Sequence, residues 1–428
     1  MQYRVWRNRT KNPVKACFFK EREIEMKEVL EFIVELKSKG VFVQSSEGQL
    51  KVSGAVKTLA ENDIAKIKRL KGEIILFLDS RKGTKNSFSS IPVISESTSY
   101  SLSSSQKRLW FLSQLDEGNV AYNMTASYIF EGSLDVNILS RSFQELILRH
   151  EILRTIFGEG ADGFVNQFVQ KTEEVNFRIE EVDLSSLQQQ ESQLKELVLK
   201  DYLAPFDLRK SLLIRAVLYK LSDSKHVFIY VMHHIISDGW SMGLLMKELM
   251  QLYNSFSKEV PHGLAPLGIQ YKDYADWQQK QLSEDSLGQH KTYWLNQLSG
   301  ELPVLNFPSD KPRPVLKTYN GGEVVCKINN EVSAGLKSLS QSEGCTLFMA
   351  LLSSVNALFY KYTQQEDLII GSPIAGREHT DLEDQIGFYL NMLALRTRFK
   401  GTWSFRDLLK ECKKITLESY EHQIYPFD

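Results

Sequence analysis

The sequence holds little that would tie it to a membrane, a metal or a nucleic acid. Its longest apolar runs fall well short of the roughly 20 residues that span a bilayer, and no charged-then-apolar secretory segment opens it. The formal net charge is −1, from 52 Lys and Arg against 53 Asp and Glu, so no charge excess points to nucleic acid. Four cysteines, Cys17, Cys326, Cys345 and Cys412, are scattered without CxxC or zinc spacing, and read as free thiols in a reducing cytoplasm. With 42% hydrophobic and 25% charged residues, the composition is that of a soluble globular protein. Its 428 residues suffice for two or three domains with sizeable cores.

One stretch carries chemistry. The apolar run from His226 to Met232 predicts a buried strand, and apolar spacing over Met242 to Phe256 predicts a helix. Between them lie His233, His234, Asp238 and Gly239, at the strand-to-helix turn where an α/β fold places its reactive groups. A neutral imidazole at His234 can accept a proton from an amine or hydroxyl attacking a carbonyl. Asp238 is better placed to bind an arginine and hold the loop than to react. Gly239, lacking a side chain, lets backbone N–H groups approach a developing oxyanion. Two plainer readings stand beside this one: a satisfied core histidine, and a partial metal site. The second is weak, because no other His, Cys or carboxylate cluster with ligand spacing occurs.

The rest of the chain divides by pattern. Residues 1–25 are basic at first and without clear period, an extension or upstream sequence if Met26 is the true start. Residues 26–79 predict a small α+β unit: a helix with Val29, Leu30, Ile33, Val34 and Leu36 on one stripe, closed by Gly40, then a hairpin around Ser45–Gly48, then two short helices. Residues 80–99, rich in serine, predict a mobile linker. Residues 100–300 and 301–428 predict two larger lobes, joined across the proline-rich Pro303–Pro314. The second lobe should hold a strand at Gly322–Ile328, helices at Glu331–Ser340 and Thr346–Thr363, and a strand at Asp367–Gly371.

His233-His234-x-x-x-Asp238-Gly239 resembles the HHxxxDG signature of the condensation domains of non-ribosomal peptide synthetases. Further segments follow in family order. Leu102–Leu112 resembles SxAQxRLWFL, with Ser105 in place of alanine. Arg149–Phe157 resembles RHExLRTxF, and Tyr271–Gln278 resembles YxDYAxWQ. Ile386–Arg396 resembles IGxFVNTLALR, with Tyr389, Leu390 and Met392 departing, and His422–Asp428 resembles HQDYPFE, with Ile424 for the acid. This resemblance implies an α/β architecture of two chloramphenicol acetyltransferase-like lobes in a V, the second C-terminally incomplete. It implies a catalytic His234 midway along a tunnel, amide formation between two thioesters carried on phosphopantetheine arms, and Gly239 beside the oxyanion. His233 would shape the loop, and Arg154, Trp240 and Ser241 would be structural. It also implies that Arg149 pairs with Asp238, a buried pair whose breakage would cost roughly 3–5 kcal/mol.

No metal or nucleotide would be bound directly, and no phosphopantetheine attachment motif occurs, so both carrier proteins would lie elsewhere. Residues 26–79 resemble the TubC-type docking domain, which captures a C-terminal tail of the preceding subunit by strand addition. Lys51, Lys57, Lys66, Lys68, Arg69 and Lys71 would suit an acidic tail. The motifs favour the type that follows an L-configured donor over the epimerisation relative. Two alternatives remain: a freestanding acyltransferase using coenzyme A, and an inert docking scaffold.

Overall fold

The structure is a computed structural model that describes residues 2–5, 32, 41–46, 49–54, 61–80, 90–115, 120–160, 163–284, 286–312 and 321–427. The first element, β1 (Gln2–Val5), lies in the stretch without sequence period, yet it runs antiparallel beside Tyr128–Glu131. Gln2-Tyr3-Arg4-Val5 alternates polar and apolar over the shortest length that can signal a strand, and the ladder to β5 establishes it. Strands β2 (Val41–Ser46) and β3 (Gln49–Gly54) form the expected hairpin in longer strands than expected, with Ser46 opposite Gln49. Helices α1 (Glu61–Arg69) and α2 (Lys71–Ser80) follow, and Phe32, Val43, Leu70 and Ile74 close a small core. The helix expected over Val29–Leu36 lies outside the described residues, apart from Phe32.

Residues 90–99 are not the free tether that their serines suggest. Ile91 is 2% exposed and belongs to the main core. Its N–H donates to Asp381 at 3.0 Å, and that of Ile94 to Asp273 at 3.0 Å. An apolar side chain with a core to enter outweighs the local propensity for disorder.

The first lobe contains β4 (Tyr100–Ser101), α3 (Ser104–Leu115), β5 (Asn123–Glu131), α4 (Val136–Arg149), β6 (Thr155–Glu159), β7 (Val165–Val169), β8 (Ile179–Asp183), α5 (Gln190–Leu203), β9 (Ile214–Ser222), β10 (Lys225–His233), α6 (Gly239–Ser257), α7 (Tyr271–Ser283) and α8 (Gly288–Gln297). The main sheet runs β1-β5-β10-β9-β8, antiparallel except between β8 and β9, and a small sheet runs β4-β7-β6. Every residue of β10 except Lys225 is buried, which is why the strand reads as an unbroken apolar run. On α4, capped by Asp135, the residues Leu139, Phe143, Leu146 and Ile147 face the sheet as their spacing predicts.

The second core is built from α9 (Asn330–Ser342), α10 (Leu347–Thr363), β11 (Asp367–Ile374), β12 (Asn391–Arg398) and α11 (Phe405–Glu421) around Leu352, Leu368, Leu393, Leu395 and Cys412. The strand expected at Gly322–Ile328 does not form: Val324 is 89% and Val325 83% exposed. No strand among the described residues lies beside it, and without a ladder its polar backbone stays in irregular conformation. Between β11 and β12 the chain leaves its own core. Leu382, Ile386, Phe388 and Tyr389 are buried in the first lobe's core, and this excursion brings the second lobe to the histidine turn. Among the described residues, no single helix is long and apolar enough to cross a membrane.

Candidate active site

β10 ends at His233, and a 3-10 turn, His234–Ile236, leads through Ser237 to Asp238, which caps α6. Hydrogen bonding on both edges of β10 makes this turn a rigid platform. The Nδ1 of His234 lies 2.7 Å from the Ser237 carbonyl oxygen. A carbonyl can only accept, so Nδ1 carries the proton and Nε2 keeps the lone pair. His234 is half-buried, and burial pushes its pKa below the ordinary imidazole value, with Arg108 acting in the same sense and Ser237 and Asp238 opposing. The imidazole is thus a neutral base. His233, 3% exposed, accepts from the Ile235 N–H through Nδ1 at 3.2 Å. Burial and the adjacent His234 lower its pKa to about 3, so it shapes the turn as a neutral ring.

Asp238 is 3% exposed, and every contact it makes holds the loop. Its Oδ1 accepts from the Ser241 N–H at 2.8 Å and the Arg377 guanidinium at 3.1 Å, and its Oδ2 accepts from the Tyr389 N–H at 3.2 Å. The partner is therefore Arg377, not Arg149. Arg149 ends α4 and donates to Glu248 at 3.2 Å and to the Ala265 carbonyl at 2.7 Å. Glu248 lies about 15 Å beyond Asp238 along α6, so Arg149 is committed nearly three turns away. Arg154 bonds the Gln170 carbonyl at 2.6 Å and is not at the site either.

The clasp around Asp238 joins the two lobes. Arg377 donates to the carbonyls of Leu382 at 2.5 Å and Gln385 at 2.6 Å, and its guanidinium stacks 4.2 Å above the Tyr389 ring. The Ser241 hydroxyl receives bonds from Arg377 at 2.9 Å and the Gly387 N–H at 3.0 Å, and lies 2.7 Å from Asp238. Trp240 donates its indole N–H to the Glu383 carbonyl at 3.0 Å. Gly239 opens α6, where the first N–H groups of a helix lack internal partners and favour negative charge. The family resemblance implied Arg149, whereas the residues it missed are Arg377, Gly387, Phe388 and the Tyr271 hydroxyl. Their one signal was that an aspartate suited to bind an arginine needs a buried cation. Gly376, the residue before Arg377, has φ +64 and a built Cβ would lie 2.0 Å from the Tyr389 carbonyl oxygen, so the approach to Arg377 requires glycine.

A strand-end imidazole poised as a base, an α-helix N-terminus beside it and two cores clasped across it define a site for acyl transfer of the HxxxDG kind. The condensation domain family model matches residues 96–428, and the chain belongs to that family, whose members form amide bonds by an acyltransferase-type reaction. Over 353 residues it is 44% identical to a plipastatin synthase of Bacillus subtilis (strain 168), covering 82% of this chain and 9% of that protein. Bacitracin synthase 2 of Bacillus licheniformis is 38% identical over 403 residues, covering 94% of this chain and 15% of the relative. The chain therefore spans only a small part of these curated relatives. A solved four-domain nonribosomal peptide synthetase bound to AMP and glycine superposes with TM-score 0.68 at 25% identity, over 80% of this chain and 25% of that one. The α/β, chloramphenicol acetyltransferase-like fold implied by the motifs is the fold shared.

Proposed function

We propose that residues 100–428 join an upstream acyl or peptidyl thioester to the α-amine of a downstream aminoacyl thioester, both held on the 4′-phosphopantetheine arms of carrier proteins. The observation that carries this reading is the His234 tautomer, with Nδ1–H committed to Ser237 and Nε2 left to accept a proton. The amine nitrogen attacks the thioester carbonyl carbon while His234 takes the amine proton. The oxyanion is stabilised at the start of α6, with the Gly239 N–H as donor. Collapse forms the amide and expels the thiolate, which recovers the proton from the imidazolium. No group bound by the chain itself enters these steps. The free thiols of Cys326, Cys345 and Cys412 suit a cytoplasmic setting. Single-turnover amide formation between a donor-loaded and an acceptor-loaded carrier tests the reading: product from the native chain and a loss of at least about 100-fold in His234→Ala are expected. Product undiminished in the variant would overturn it.

Residues 26–79 act, in the same reading, as a TubC-type docking unit for the tail of the upstream synthetase chain. Support comes from the hairpin of β2 and β3, from Lys66, Lys68 and Arg69 in the last turn of α1, and from the match to bacitracin synthase 2, which reaches well upstream of residue 96. An acidic C-terminal peptide titrated onto the chain by calorimetry should bind with salt-sensitive affinity, weakened when the three basic residues become glutamate. Binding unaffected by both salt and charge reversal would count against it.

A further inference from the structure

The ring of Phe388 lies against the imidazole of His234, with centroids 4.7 Å apart and planes at 62°. It arrives from the other lobe, on the excursion between β11 and β12, and is 3% exposed. Its main chain is held at three successive residues. The Tyr271 hydroxyl donates to the Phe388 carbonyl at 2.7 Å and lies 2.8 Å from the Ser103 hydroxyl. Before it, Gly387 packs on Tyr271 so closely that a Cβ would stand 2.0 Å from the ring. After it, the Tyr389 N–H binds Asp238. The pattern IGxFVNTLALR leaves the position of Phe388 open, so the motif assigns it no role.

We propose that Phe388 is a positioning residue for His234: held by Tyr271 and Gly387, its ring is the wall that keeps the imidazole oriented with Nε2 free and keeps water off it. The bond from Nδ1 to the Ser237 carbonyl constrains the same ring at its edge, so the two contacts act together on its orientation. The charged groups around it act in opposing senses: Arg108 from α3 disfavours the imidazolium, and Asp238, already paired to Arg377, favours it. His233 is neutral beside it. Burial dominates this balance, and the Phe388 ring that meets His234 edge-to-face supplies part of it.

The role of Phe388 rests on the proposed amide formation only for its kinetic arm. The test is an NMR titration of the His234 ring in histidine-labelled native chain, Phe388→Leu and Phe388→Ala, with His234→Ala used to assign the signal. Phe388→Ala should raise the midpoint by about half a pH unit or more towards the ordinary 6.5, and Phe388→Leu, which keeps most of the apolar volume, by less. In single turnover, kcat should fall about tenfold in Phe388→Ala with little change in KM for the acceptor carrier. A His234 midpoint in Phe388→Ala equal to the native one overturns the proposal, whatever the turnover. Should that variant not fold, Tyr271→Phe, which removes only the hydroxyl tether, decides: a midpoint raised in the same sense upholds the proposal and an unchanged one overturns it. Since titration needs no turnover, a shifted midpoint without amide formation would refute the reaction while leaving Phe388 as the wall of His234.

Discussion

An imidazole with one nitrogen bound to a carbonyl has one lone pair to offer, and its usefulness as a base depends on how low its pKa lies. For His234 the base form is the neutral one, and burial extends that form to lower pH. Single-turnover rates should therefore hold below pH 6.5 before the acid limb begins, as a pH profile on a linear buffer series would read. An acid limb centred above 6.5 would contradict the burial seen here. His233 makes a different statement. Its pKa in the folded chain, about 3, lies below that of the unfolded chain, near 6.5, so the unfolded state binds the extra proton first. The stability it contributes is present above about pH 6.5 and is lost as pH falls towards 3. Urea midpoints at pH 7 and pH 4 should differ less in His233→Asn, which keeps an acceptor for the Ile235 N–H, than in the native chain.

At the scale of elements, the α6 N-terminus is held by a cluster rather than by a single pair. Arg377→Ala should destabilise the fold by roughly 3–5 kcal/mol, because it leaves Asp238 buried without its cation, and the loss is measurable by chemical denaturation. Arg149→Ala should also destabilise, through Glu248, but amide formation per folded molecule should stay at the native rate because the Asp238 clasp is untouched. The reverse ranking would restore the pairing that the motifs imply. What could be read from the chain here was the need, an aspartate in want of an arginine. What could not be read was the supplier, because Arg377 is brought in from the other lobe and no local periodicity records that approach.

At the scale of the whole molecule, sequence order and packing order disagree at two places. Residues 377–390 lie between two strands of the second core yet pack in the first, and residues 90–99 precede both lobes yet bury Ile91 in the first core and bond Asp381 and Asp273 through the Ile91 and Ile94 N–H groups. The lobes are joined by these crossings as well as by the chain. The amides of Ile91 and Ile94 should accordingly exchange slowly for deuterium, and Asp381→Ala should speed exchange at Ile91 while leaving Ile94, bonded to Asp273, slow. Fast exchange at both sites in the native chain would return this stretch to the status of a free linker.

By itself the sequence determined the elements whose signal is local: the apolar run of β10, the buried stripe of α4, the long apolar helix α10, and the turn that carries His233, His234, Asp238 and Gly239. These follow from periodicity, caps and turn chemistry within a few residues. Only the tertiary structure decided which arginine meets Asp238, that Tyr271 and Gly387 fix Phe388 against His234, and that Val324 and Val325 find no strand partner. Each of these depends on groups more than a hundred residues apart, or on a ladder that forms only where a second strand is present, and neither leaves a period in the chain.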